Sequence, residues 1–269
     1  TAKGKVRKNS LEDFSSINAA GKIAMKLDTN DKIVGVEICK DDQDIMLSTK
    51  YGKCIRFESK KLRVFKGRSS KGIKGINLAQ NDEIVSLSII NQDKIKKNAK
   101  KDTDTKSEIK ASEKFILSIT ENGFGKRTPV EDYRMTNRGG QGVANIECSA
   151  RNGPVVASYV TSEDDQIMLV TNSGKLIRIR VHGGEGDSIR VAGRKTQGVT
   201  LFDVDNGEKV VSVALLNESD DDDDDIDKSD DDEFIKELEK KHDKSSEPLP
   251  SVDMDKLTRR QRMALISKQ

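Results

Sequence analysis

Arginines set among glycines are the residues of this chain best placed to do chemistry, and that chemistry is anion binding. Gly67-Arg68-Ser69-Ser70-Lys71-Gly72-Ile73 parallels Gly193-Arg194-Lys195-Thr196-Gln197-Gly198-Val199, and Asn137-Arg138-Gly139-Gly140-Gln141-Gly142-Val143 keeps the same frame. Arginine stands four residues before the glycine in each; before Gly21 that place is held by Ile17. A loop of Arg, small residues and Gly exposes backbone N–H groups beside a guanidinium, and phosphate oxygens accept from both. Lys71 and Lys74 add charge near the first loop and Lys195 to the last. A tight turn whose Arg pairs with a neighbouring carboxylate is the competing reading. Three occurrences at one offset favour polyanion contact.

A second basic series is more regular. Thr-x-x-Gly turns recur at Thr1–Gly4, Thr49–Gly52, Thr120–Gly123 and Thr171–Gly174, and the fourth residue past each glycine is Lys8, Arg56, Arg127 or Arg178. These residues fit either a charged rim or ion pairs between neighbouring blades. Strand alternation does not decide which series faces outward, and the loop series is the preferred DNA-contact set.

Nothing in the chain forms a catalytic constellation. The histidines, His182 and His242, are isolated; Cys39, Cys54 and Cys148 form no CxxC pair and show no metal-ligand spacing. Tyr51, Tyr133 and Tyr159 have no setting that marks a nucleophile, and no phosphate-cradling glycine motif sits between a strand and a helix. No metal and no cofactor is expected in this chain. Aromatic residues make up 4% with no Trp, which leaves little to stack unpaired bases on and favours duplex DNA held by its backbone.

The elements that must position these residues are strands. The runs Ile45-Met46-Leu47, Phe115-Ile116-Leu117 and Ile167-Met168-Leu169 are short, apolar and bounded by turns, as in strands buried on both faces. In Leu176–Val181 the residues Ile177, Ile179 and Val181 share one face, and Arg178 and Arg180 the other. A second glycine (Gly21, Gly72, Gly142, Gly198) precedes an apolar pair at Ile33-Val34, Ile84-Val85, Val155-Val156 and Val210-Val211. Repeats near 50 residues with this pattern predict an all-β array of blades. The turn glycines are 48, 71 and 51 residues apart, and the long step comes from a polar insert at about 91–112, expected to be a disordered loop. The first repeat lacks its opening strand, so the chain reads as a piece of a longer polypeptide.

Residues 218–269 hold 18 acidic and 10 basic residues, a net of −8, against +10 for the body 1–217. A basic body with an acidic tail suits a polyanion-binding surface. The organisation expected is a blade domain over 1–216 and a mostly disordered acidic tail over 217–269, with a short basic terminal helix near Leu257–Ile266. No apolar run reaches the ~20 residues that span a bilayer.

Ala20-Gly21-Lys22-Ile23-Ala24-Met25-Lys26-Leu27, Asn122-Gly123-Phe124-Gly125-Lys126-Arg127-Thr128 and the Gly193–Val199 loop occur in the order seen in the later blades of a known family. By them residues 1 to about 216 resemble the C-terminal domain of the A subunit of bacterial DNA gyrase. The resemblance implies a six-bladed β-pinwheel of four-stranded blades, of which this chain holds about four, the first incomplete. It implies a non-catalytic domain that wraps duplex DNA in a right-handed sense round a basic rim. The wrap would support ATP-dependent negative supercoiling by a type II topoisomerase of two A and two B subunits. ATP, Mg and the cleaving tyrosine would lie elsewhere in that enzyme, in the bacterial cytoplasm with the nucleoid and away from any membrane. Asn137–Gly142 is a degenerate echo of the family's Q-R-R-G-G-K-G, which is expected upstream. The equivalent domain of the topoisomerase IV A subunit is the runner-up, and a propeller-like protein-interaction module is the alternative of another class.

Overall fold

The central strand of each blade is apolar on both faces because a blade packs on either side of it. In β2 (Gln43–Thr49), Ile45 and Leu47 join one buried cluster with Ile55, Phe57 and Ile76. Met46, between them and pointing the other way, joins a second cluster with Ile116, Val130 and Tyr133. The strand β6 (Phe115–Thr120) repeats this: Ile116 faces back towards β2, while Leu117 and Ile119 face forward to Ile167, Leu169 and Val213. Full burial of one such side chain contributes about 1.5–3 kcal/mol. The computed structural model describes residues 1–17, 19–91, 114–183 and 188–216. Of the expected insert at about 91–112, all but Asn91 lies outside the described residues, as do the acidic tail and its expected terminal helix.

Thirteen strands complete the described fold. They are β1 (Lys5–Val6), β2, β3 (Lys53–Glu58), β4 (Ile73–Lys74), β5 (Ile84–Asn91), β6, β7 (Phe124–Pro129), β8 (Val143–Ala144), β9 (Val155–Thr161), β10 (Gln166–Thr171), β11 (Leu176–Arg180), β12 (Val199–Thr200) and β13 (Val210–Leu216). All pairings are antiparallel, in the orders β1-β4, β5-β2-β3-β8, β12-β7-β6-β9 and β11-β10-β13. The expected β-pinwheel array is the one observed, with an incomplete first blade.

Each repeat lends a strand to the blade before it. The short strand after the second glycine of one repeat pairs with the hairpin of the previous one: Val6↔Ile73, Cys54↔Val143 and Gly125↔Val199. The residue three past that glycine then donates its N–H to the turn glycine of the previous repeat. Gly75 reaches Gly4, Asn145 reaches Gly52 and Leu201 reaches Gly123, each at 2.8 Å. Two glycines make this close crossing feasible. Gly52 has φ of 78°, and a Cβ there would lie 2.1 Å from the Ile146 carbonyl oxygen. Gly142 has φ of 74°, and its Cβ would lie 2.4 Å from the Cys54 oxygen.

Candidate nucleic-acid interface

The strand series of basic residues pins blade to blade. Arg56 is buried; its Nε and Nη2 donate to Asp44 Oδ2 at 3.0 and 2.7 Å. Its Nη1 crosses to the carbonyls of Val130 and Tyr133 at 2.9 and 3.2 Å, on a 3-10 turn of the next repeat. Lys8 makes the same crossing from the first blade, to Asp41 and to the Ser59 carbonyl at 3.4 Å. Arg127 makes it from the third, with Nε on the Ile189 carbonyl at 2.7 Å and its guanidinium 4.9 Å over the Phe115 ring. Burial holds the Arg127 guanidinium below its ordinary pKa. Arg178, in the last repeat, is exposed and donates to Gln166 at 2.7 Å. The expectation of DNA contact is therefore not carried forward for Arg56 and Arg127, whose guanidiniums are enclosed between blades.

The loop series is placed differently. Arg68 donates Nη1 to the Ile23 carbonyl at 3.2 Å, Arg138 to Lys74 at 2.9 Å and Arg194 to Ala144 at 3.2 Å. Each acceptor lies two residues past the second glycine of the preceding repeat. A backbone ladder runs beside them: Lys26 N–H to the Ser70 oxygen, Asn77 to Gly140 and Glu147 to Thr196, at 3.2, 2.8 and 3.0 Å. One guanidinium edge is thus anchored at every blade-to-blade step. Arg138 is exposed, and Arg68 and Arg194 are half-buried. None of the three pairs with a carboxylate among the described residues. Lys74 and Lys195 are exposed, Lys74 reaching only Asn77 at 3.3 Å, and Lys71 pairs with Asp28.

A further column escaped the sequence reading. Phe65, Thr136 and Ala192 donate their N–H groups to the carbonyls of Lys8, Arg56 and Arg127, which makes them equivalent positions. Two residues before each stands an exposed arginine: Arg63, Arg134 and Arg190. The only sequence signal is the buried residue just ahead (Leu62, Tyr133, Ile189). Counted back from the second glycine these arginines stand nine, eight and eight residues away, so one extra residue in the second repeat hides the column.

A chain of anchored guanidiniums, one per blade step, has the chemistry to meet a polyanion whose charges are themselves regularly spaced. Among the described residues no group of three or more His, Cys, Asp or Glu is arranged to hold a metal ion. Cys54 is buried and its thiol is pushed up to about 12, so it is not a nucleophile at neutral pH. No described helix is long and apolar enough to cross a membrane.

Comparison with known proteins agrees with this architecture. The family described as DNA gyrase C-terminal domain, beta-propeller, matches over residues 1–40, 43–91, 114–153 and 165–217, one stretch per repeat. The DNA gyrase A subunit of Rickettsia bellii is 40% identical over 88% of this chain, and that of Staphylococcus epidermidis 36% identical over 82%. The chain spans 28% and 22% of the length of these two relatives. A solved structure of a DNA gyrase A C-terminal domain superposes with a TM-score of 0.63 at 26% identity, covering 80% of this chain and 64% of that one. The C-terminal domain of a DNA topoisomerase IV shares the fold, with a TM-score of 0.66 at 24% identity, over 80% of this chain and 60% of its own.

Proposed function

Since the chain belongs to the DNA gyrase C-terminal domain family of beta-propellers, we propose that it binds duplex DNA along its loop arginines and bends it into a wrap. The observation that carries this reading is the ladder of Arg68, Arg138 and Arg194, each fixed by one Nη on the preceding repeat. Fixed cations at each blade step hold a phosphate backbone at several points along a curved track, and a duplex following that track must bend. Phosphate contact carries little base preference. It makes affinity fall steeply with salt, because neutralised phosphates release counterions.

The wider role we propose is supported by membership. The chain acts as the non-catalytic DNA-wrapping part of the gyrase A subunit, supporting ATP-dependent negative supercoiling by an assembly of two A and two B subunits. ATP, Mg and the cleaving tyrosine belong to other parts of that enzyme, which works on the bacterial nucleoid in the cytoplasm. The acidic tail, residues 217–269, competes with DNA for the basic body through its net charge of −8.

The test is binding of linear duplex by the full-length protein across a salt series. The logarithm of affinity is expected to fall linearly with that of salt. Replacing Arg68, Arg138 and Arg194 together by Glu should lower the slope by about one per arginine or more. Salt-independent binding overturns the reading. Wrapping itself is read from plasmid nicked, bound and then ligated. A shifted linking number supports it, and an unshifted one limits the function to binding. Truncation before residue 218 should raise affinity at low salt.

A further inference from the structure

Three consecutive residues of β7 grip the loop that carries Arg194. Lys126 Nζ donates to the Gly193 carbonyl at 2.5 Å, Arg127 Nε to Ile189 at 2.7 Å and Thr128 Oγ1 to Ala192 at 2.7 Å. Lys126 has no solvent exposure and makes no ion pair among the described residues. An ammonium buried without a counter-ion is costly. The cost is offset where an anion binds close by. The loop above it is one the ladder offers to phosphate, since the residue after Gly193 is Arg194. In the first repeat Arg7 holds the equivalent place and donates Nη1 to the Ser70 carbonyl and, at 2.7 Å, to the Ser70 hydroxyl. The second repeat has Ile55 there, with no donor.

We propose that Lys126 is a positioning residue for duplex binding: its ammonium, clamped on the Gly193 carbonyl, holds the loop so that Arg194 meets a phosphate. This rests on the duplex-binding reading above. The charged and titratable groups facing Lys126 are Arg194 from the loop, Cys54 from β3 and Asp132 from the turn after β7. Burial first, and then Arg194, bring Lys126 down to about 8. Cys54 stays a neutral thiol at that pH. A phosphate on Arg194 cancels the like charge and favours the ammonium, so binding takes up a proton. Above that pH the neutral amine holds the carbonyl more weakly, and the affinity lost is about fivefold, the ratio between a charged and a neutral hydrogen bond.

The experiment measures affinity of the full-length protein for one linear duplex at constant ionic strength, from about pH 7 to about pH 9.5, where guanidiniums and phosphodiesters do not titrate. The wild-type protein should lose about fivefold. Arg194→Ala should bind more weakly and show no such step, because Lys126 acts through Arg194. Arg138→Ala should bind more weakly yet keep the step, since its loop lies over Ile55. Lys126→Met should be weak and flat with pH. A flat wild-type profile, or an equal step in Arg194→Ala, overturns the proposal whether or not Lys126→Met folds. A wild-type protein that binds no duplex at any pH overturns the duplex-binding reading itself.

Discussion

Arg56 places two guanidinium nitrogens on a single carboxylate oxygen of Asp44, twelve residues earlier in the same hairpin, at 3.0 and 2.7 Å. The pair is buried and ties its own blade to the next one through Val130 and Tyr133. Removing one member leaves the other charged and dry. Arg56→Met is therefore expected to cost about 3–5 kcal/mol, read from the denaturant midpoint of unfolding. The double variant Arg56→Met with Asp44→Leu should recover part of that loss, because the buried carboxylate is removed with the guanidinium. A single variant no less stable than wild type would show that the pair does not join the blades.

Position in the repeat should separate stability from binding. Arg127 is enclosed, whereas Arg134 is exposed and without a carboxylate partner among the described residues. Arg134→Ala should leave the melting temperature within the range of a surface change, about 0.5 kcal/mol, and lower the salt slope of duplex binding by about one. Arg127→Met should lower the melting temperature and leave the slope of the folded protein unchanged. The reverse pattern in these two measurements would move the duplex track away from this edge.

The same contrast marks where the sequence was legible. The blade strands were, because burial on both faces imposes an unbroken apolar run such as Ile45-Met46-Leu47, and the Thr-x-x-Gly turns mark the hairpins. The loop arginines were legible too, since a guanidinium at one offset from a glycine survives in three repeats. For Arg56 the sequence left two roles open, rim charge or a tie between blades, and its partners were not legible. Its partner Asp44 is twelve residues back and its acceptors Val130 and Tyr133 are 74 and 77 residues on, so no local spacing reports them. The most regular basic position marks the seam between blades, and regularity along the chain tracked the packing repeat there rather than the surface. Strand lending was equally hidden, because Val143-Ala144 reads as an ordinary two-residue extension until its pairing with Cys54 and Lys53 is seen.

Acid should loosen the last blade. Glu208 is held at about 2 by hydrogen bonds from Ser173 first, then Thr171, Lys175 and the Asp205 N–H. Its unfolded value is 4.5, so the folded state binds fewer protons between the two. The contribution is complete above about pH 4.5 and is lost as pH falls towards 2. Glu208→Gln should thus flatten the pH dependence of stability in that window and leave it unaltered between pH 6 and 8. Hydrogen exchange at the amides of Thr171 to Lys175 reports the change locally. Identical acid profiles for the two proteins would rule out the carboxylate as the latch.

Two turn glycines offer a direct test of strand lending. Gly52 and Gly174 occupy the same turn position, with φ of 78° and 85°. Alanine in that left-handed conformation costs about 1–2 kcal/mol on backbone grounds alone, and both variants bear that cost. Their surroundings differ. The strand lent by the third repeat passes over Gly52, so a Cβ would press within 2.1 Å of the Ile146 carbonyl oxygen, while among the described residues nothing lies within 4 Å of one at Gly174. A clash with backbone cannot be relieved by turning a side chain. The crossing segment must lift, breaking the bonds from Asn145 and Ile146 to the Gly52 carbonyl at 2.8 and 3.2 Å. Gly52→Ala should consequently lose about 1–3 kcal/mol more than Gly174→Ala, the cost of leaving a buried backbone group without its partner. Equal destabilisation of the two variants in chemical denaturation would mean that the lent strand adds nothing to the second blade.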